Sequence, residues 1–285
     1  MVRGSSTRGT WAGYDRPILC DPAPVPAADI LLLESTYGDR PHPSGADADL
    51  IRIVRDAAAL GGLILVPAFA VDRTQELLWM LRRLEQAGSV PTLPVYIDSP
   101  MAIEVTDVYR RHPEDRDAEM ARALASGGRP LTPGSLHIAR TEQESRAINA
   151  VRGPAIIISS SGMATGGRIL HHLVQRLPDP RATVLLVGFQ AAGTRGRALE
   201  DGARELKIFG QVVAVRARVE RIDALSAHAD AGEILRWLGG FERPPRVTYL
   251  VHGEPQAAAA LADAIRARYA WNVEVARDGE TVTLQ

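Results

Sequence analysis

Three short segments each place an acid or an imidazole at the end of an apolar run: Glu34 in LLLESTYGDR, His228 in IDALSAHAD and His252 in TYLVHGE. In open α/β sheets ligands collect beyond the carboxyl ends of the strands. A lone histidine beside a sheet is more often structural, but three similar placements point to one shared site. His228 stands just before Asp230 and Glu233, a D-x-x-E capping pattern ahead of the apolar positions Ile234, Leu235 and Leu238. Asp230 is therefore read as a helix cap, and a phosphate at that helix start would meet free backbone N–H groups. A carboxylate such as Glu34 beside His228 would favour the charged imidazole that a general acid needs.

Two further segments suit phosphate. In SSSGMATGGR, a strand gives way to a helix, and Ser160, Ser161 and Gly162 could form a backbone nest with Arg168 adding charge. A plain turn with a serine cap explains the same residues equally well. In GFQAAGTRGR, Arg195 and Arg197 sit in flexible-looking surroundings that would suit a mobile phosphate clamp, or simply a solvated loop. His171 and His172 lie inside an apparent helix, where neighbours point about 100° apart. They are read as structural, like His42, His112 and His137.

The elements that must position these groups alternate. Short apolar strands are expected at Ile30–Leu33, Leu63–Val66, Pro94–Ile97, Ala155–Ser159 and Thr183–Gly188. Helices are expected at Asp49–Leu60, Thr74–Gln86, Met101–Arg111, Glu114–Ala125 and Arg168–Gln175. The alternation argues for an α/β fold with a largely parallel sheet. Near Lys207 the texture changes, and Gln211–Arg221 alternates as a half-exposed antiparallel strand would. A helix at Ala231–Leu238, a strand at Val247–Val251, a helix at Pro255–Arg268 and a strand pair near 273–284 complete the pattern. Domain boundaries are expected near residues 40 and 218, giving segments 1–40, 41–218 and 219–285.

The 285 residues carry a formal net charge of -1, so any basic site must be local. Lys207 is the only lysine, and the arginine bias suits GC-rich coding. One cysteine, Cys20, excludes a disulfide framework and a cysteine-based zinc site within one chain. No apolar run is long enough to span a bilayer, and a cytoplasmic location is expected.

Taken in order, YDRPIL, ESTYGDR, VPAFAVDRTQELL, PVYIDSPMA, IIISSSGMATGGR, VLLVGFQAAGTRGR, LSAHAD and VHGE resemble the β-CASP group of metallo-β-lactamase-fold RNA-processing nucleases. The resemblance covers nearly the whole chain from Tyr14 onward. It implies an αββα sandwich interrupted by an inserted α/β β-CASP domain, and zinc-dependent phosphodiester hydrolysis with RNA as partner. Glu34, His228 and His252 fall on the family's first, second and third β-CASP motifs. The first two are implied in leaving-group protonation, the third in zinc binding, and a histidine at the third goes with RNA rather than DNA.

The departures matter as much. The H-x-H-x-D-H motif, which supplies ligands to both zincs, is absent from this sequence, and Thr10 stands where a bridging aspartate belongs. Of the expected ligands only His252 remains, and Asp72 replaces an expected glycine beside Arg73. The Arg8–Ala12 stretch reads as a G-D-L-G-R coding translated in a shifted frame. The expectation is thus a partial sandwich, truncated in its first half and inactive alone, that pairs with a missing amino-terminal half or a second copy. The competing expectation is a non-catalytic RNA-binding or scaffold subunit. Loss of a layer should leave exposed apolar surface beside the strands at Leu31, Val247 and Val213.

Overall fold

The computed structural model describes the backbone of residues 5–7 and then residues 13–283. Thr10 and the rest of the proposed frame-shift stretch lie outside the described residues. The chain divides into two compact units: residues 1–16, 20–42 and 227–285 form the first, and residues 17–19 and 43–226 the second.

In the first unit, strands β1 (Ser5–Thr7), β2 (Ile30–Glu34), β11 (Val247–Val251) and β12 (Val273–Val275) lie side by side in that order, all parallel. The register sets Leu31 and Leu33 of β2 level with Thr248 and Leu250 of β11, on one face. Helices α8 (Ala231–Leu238) and α9 (Pro255–Tyr269) close that face. Ile234, Trp237 and Leu238 recur at helical spacing and bury against Leu31, Leu33, Leu250, Leu261 and Ile265. On the opposite face Leu32, Val247, Tyr249 and Val251 are only half-buried.

The second unit is built on a six-stranded parallel sheet, which takes the chain out to β5 and back. Its strands are β3 (Leu63–Pro67), β4 (Pro94–Ile97), β5 (Ser135–Ile138), β6 (Ala155–Ser159), β7 (Thr183–Leu186) and β10 (Arg218–Arg221). Their order is β10-β7-β3-β6-β4-β5. Period-two alternation splits the strand side chains between two cores. Ile64, Val66, Ile156 and Ile158 face helices α1 (Ala46–Leu60), α2 (Arg73–Gln86), α3 (Pro100–Arg111) and α4 (Ala118–Ala125). Leu63, Leu65, Ala155 and Ile157 face the other side. That side carries α5 (Glu142–Ala147), α6 (Ile169–Arg176), α7 (Arg195–Glu200) and the antiparallel hairpin of β8 (Glu205–Ile208) and β9 (Gln211–Ala214). Both faces are covered, which is why these strands read as unbroken apolar runs.

Several expectations change. Gln211–Arg221 is not one antiparallel strand: β9 pairs antiparallel with β8, whereas β10 turns away and pairs parallel with β7. Because β10 completes the large sheet, the change of unit comes after Ser226 rather than near 218. The helix expected from Glu114 starts at Ala118, because Asp117 caps it by accepting the Met120 N–H at 2.6 Å. Of the closing strand pair only β12 is a strand among the described residues. Leu31 and Val213 are themselves buried, while Val212 and Phe209 on the β8–β9 hairpin are exposed. No helix among the described residues is long and apolar enough to cross a membrane.

Candidate active site

Strand register brings the first two groups together. Glu34 is the last residue of β2 and is level with Val251, the last residue of β11, so His252 emerges beside it. The backbone at His252 is left-handed, with φ 60, a conformation that costs a non-glycine residue free energy and persists only when its surroundings enforce it. The next residue must be small: a Cβ on Gly253 would lie 2.4 Å from the Ser35 hydroxyl and 2.5 Å from its carbonyl oxygen. The VHGE segment thus holds an imidazole against the end of β2 by close backbone packing.

His228 arrives from the turn before α8. Asp230 and Glu233 form the expected capping box: Asp230 accepts the Glu233 N–H at 2.8 Å and Glu233 accepts the Asp230 N–H at 2.9 Å. His42 is structural, as expected, and the structure gives it a specific duty as a brace. Its Nε2 lies 2.9 Å from the His228 carbonyl, and its own N–H donates to Asp230 at 2.8 Å. Burial holds the His42 imidazole below its ordinary pKa.

The three groups then meet. His228 Nδ1 lies 2.5 Å from Glu34 Oε2, whose side chain is fully buried. A carboxylate only accepts, so with Glu34 ionised the Nδ1 carries the shared proton and Nε2 remains for another partner. The His228 and His252 rings stack with centroids 5.3 Å apart. Ligand atoms of Glu34, His228 and His252 all lie within 4.8 Å of one another. At the centre is Thr36, which residue type and spacing do not single out although it sits two residues beyond Glu34. Its hydroxyl donates to Glu34 Oε2 at 2.7 Å and lies 3.3 Å from His228 Nδ1 and 3.2 Å from His252 Nδ1.

One carboxylate and two imidazoles are zinc-type donors. The facing atoms of Glu34 and His228 are, however, taken up by each other. Two zincs need several ligands each, and these three residues do not furnish them. His252 is the group left outside that contact to hold a metal, and the Glu34–His228 contact is one along which a proton could be shared.

In the second unit, Ser160, Ser161 and Gly162 follow the carboxyl end of β6. The Ser160 hydroxyl is 2.8 Å from that of Ser99, and Ser161 Oγ accepts the Thr165 N–H at 3.1 Å. A Cβ on Gly162 would press into the Phe69 ring at 2.7 Å. Arg168 is turned inward: it donates to Asp98 at 2.9 Å and to the carbonyls of Ala139 and Arg140 at 3.1 and 3.2 Å. Asp98 also accepts from His172 at 2.7 Å and from Ser145 at 2.7 Å. Burial alone would raise the Asp98 carboxyl, but its hydrogen bonds from His172, Ser145 and Arg168 outweigh that and hold it below its ordinary value. His172 is structural, as expected.

Arg195 and Arg197 do not lie in a flexible loop. Thr194 accepts the Arg197 N–H at 3.2 Å and starts α7. Arg195 donates to the carbonyls of Lys207, Ala164 and Thr165, bracing the serine loop, and Arg197 pairs with Asp201 four residues on. Gln190 fixes the same loop by donating to the Gly162 and Gly188 carbonyls, both at 3.1 Å. The structure therefore builds a serine loop held by Arg195 and Gln190, with Arg168 engaged by Asp98 and Arg197 by Asp201.

Residues 74–199 match the Beta-Casp domain family, and residues 212–276 match the Zn-dependent metallo-hydrolase RNA specificity domain. The chain is 37% identical over 276 residues to a ribonuclease of Thermus thermophilus, covering 96% of this chain and 62% of that protein. It is 32% identical over 273 residues to a transcription termination factor of Pyrococcus abyssi (92% of this chain, 42% of that one). An RNase J-like protein of Methanocaldococcus jannaschii is 30% identical over 246 residues, 85% of this chain and 56% of its own length. The chain thus spans roughly two fifths to three fifths of the relatives it matches. With two successive domain matches, and with the three motif residues meeting at the ends of β2 and β11, the chain belongs to the β-CASP group of metallo-β-lactamase-fold nucleases.

Proposed function

We propose that this chain carries the proton-donating part of a zinc-dependent RNA phosphodiesterase. The observation that carries the reading is the 2.5 Å contact between Glu34 and His228, set beside His252 at the ends of two paired strands. Glu34 orients the imidazole through Nδ1 and compensates its positive charge. His228 then protonates the oxygen that leaves when the phosphodiester breaks. His252 would take part in holding zinc, of which two are expected in the complete centre. The serine loop of Ser160, Ser161 and Gly162 would receive a backbone phosphate through N–H groups.

The test is a cleavage assay with labelled single-stranded RNA and zinc. The chain is supplied alone, then mixed with a polypeptide bearing the family's H-x-H-x-D-H segment. RNA binding by the chain, with cleavage appearing only in the mixture and lost in His228→Ala, is the expected result. A chain that does not bind RNA overturns the reading. That Glu34, His228 and His252 do not furnish the ligands of two zincs favours a second reading, a non-catalytic RNA-binding subunit, which RNA bound but uncleaved in every mixture would select.

A further inference from the structure

The near-neutral net charge conceals one local concentration of arginine in the second unit. Helix α2 leaves the carboxyl end of β3 and runs back, so its last turns reach the level at which β4 begins at Pro94. Residues 128–130 lie a short loop ahead of β5, toward the end at which that strand begins. Between these segments and α4 lies a cavity of about 390 Å³ lined by Arg82, Arg83, Arg122 and Arg129, with Glu119 the one acid among its lining residues. The serine loop follows the carboxyl end of β6, so the cavity occupies the opposite edge of the same parallel sheet.

Some arginines of the chain, such as Arg16, Arg52, Arg168 and Arg181, are each matched by a carboxylate, and others, such as Arg55 and Arg176, donate to backbone carbonyls instead. Of the four arginines in the cavity only Arg83 is matched by a carboxylate, that of Asp47. Among the described residues Arg82, Arg122 and Arg129 have no carboxylate within ion-pair distance. The Nε of Arg82 is buried with no hydrogen-bond partner, and a buried donor left unmade costs about 1–3 kcal/mol, more when charged. The acid one turn along, Glu85, feels the Arg82 charge but lies beyond ion-pair distance and spends a carboxylate oxygen on the Gly134 N–H at 2.7 Å. Guanidinium forks match phosphate oxygens in pairs. The aromatic ring in the lining, Trp79, is buried in the core rather than offered as a stacking face. The chemistry therefore selects phosphate charge and not a nucleobase.

We propose that this cavity is a second anion site that binds consecutive phosphate groups, either of an RNA backbone or of a free oligophosphate. It is separate from the serine loop and does not require the Glu34–His228 site.

The test uses the full chain and the double variant Arg122→Gln, Arg129→Gln. Both side chains are exposed, so the fold should survive, which thermal melting verifies. Inorganic tripolyphosphate is titrated calorimetrically, and a labelled oligouridylate is titrated by anisotropy across a range of salt. Tripolyphosphate affinity is expected to fall about tenfold or more, as befits the removal of two guanidinium groups from the anion. If RNA uses the site, the slope of log affinity against log salt should also shrink by about 1.4, roughly 0.7 for each phosphate that is no longer neutralised. Weaker binding of both probes identifies RNA backbone, and weaker binding of tripolyphosphate with RNA unchanged identifies free oligophosphate. A wild-type chain that binds tripolyphosphate but not RNA refutes the proposed function and leaves this site standing. Unchanged tripolyphosphate binding, or an equal weakening in the control Arg268→Gln, overturns the proposal.

Discussion

Replacing Asp98 with asparagine should be among the most costly changes of a single charge in the second unit. The carboxylate is fully buried and takes hydrogen bonds from Arg168, His172 and Ser145. An amide of the same size offers one accepting oxygen and confronts the remaining donors with an N–H₂ group. Ser145 can rotate its hydroxyl, and His172 can change tautomer and accept. Arg168 has only N–H groups to offer and cannot adapt. Breaking a buried charged network by removing one partner costs about 3–5 kcal/mol. Because Arg168 is about 25% exposed and can reach water, the low end, about 3 kcal/mol, is expected. The sign with pH follows from the lowered carboxyl. Its contribution is complete above the ordinary value of 3.8 and is lost as pH falls through the lower value in the folded chain. Urea unfolding at a series of pH values, followed by circular dichroism, should show the full deficit at neutral pH. The deficit should narrow below about pH 3.8, where the wild type titrates and the variant cannot. A deficit under about 1 kcal/mol at pH 7, or one that stays constant as the wild type is acidified, would refute the reasoning.

Three further changes are expected to have defined outcomes. His252→Ala should lower zinc affinity measured by competition with a chelator, by more than the roughly tenfold that loss of a mere hydrogen-bond partner of a ligand costs; unchanged affinity would remove His252 from the metal site. Gly253→Ala, forced against the Ser35 backbone, should cost about 1–3 kcal/mol in denaturant unfolding, in the range of overpacking, and a neutral result would show that the two segments can part. Asp72→Gly should leave stability unchanged or raise it by up to about 1 kcal/mol, because φ 69 and ψ -63 with a 2.9 Å bond from Arg73 N–H to the Val71 carbonyl define a γ-turn that suits glycine. A loss above about 1 kcal/mol would mean that the Asp72–Arg73 ion pair outweighs the backbone strain.

The sheet of the second unit is legible in the sequence because strands buried on both faces are unbroken apolar runs, as in Leu63–Val66 and Ala155–Ser159. The capping box at Asp230 is legible because its two partners are three residues apart. The roles of Thr36 and His42 are not, since they depend on strand register and on a helix cap far along the chain. A threonine two residues after a candidate acid is the available signal for the first. Arg168, Arg195 and Arg197 fall in the expected segments, but an arginine's destination is decided by carboxylates and carbonyls elsewhere in sequence. Asp98 and the Lys207 carbonyl cannot be assigned to them by spacing. The split of Gln211–Arg221 is hidden because one alternating pattern serves an antiparallel hairpin and an outer strand of a parallel sheet equally well.

Strands β2 and β11 pair although one ends at residue 34 and the other begins at residue 247, and Glu34 and His228 are 194 positions apart. A ribosome makes residues 43–226, nearly all of the second unit, between β2 and β11. The nascent chain must therefore hold an apolar β2, paired with β1 on one side and open on the side that β11 will take, while a six-stranded sheet is finished. Closing so long a loop as a disordered chain is slow, and contacts of this sequence separation dominate folding time. A spacer that is already folded shortens the search by fixing its two ends. The order of assembly is thus written into the topology: the inserted unit first, the Glu34–His228 contact last. Until then β2 is an exposed edge that other chains could pair with, so a lesion that delays the second unit should surface as aggregation during synthesis before it surfaces as lost chemistry.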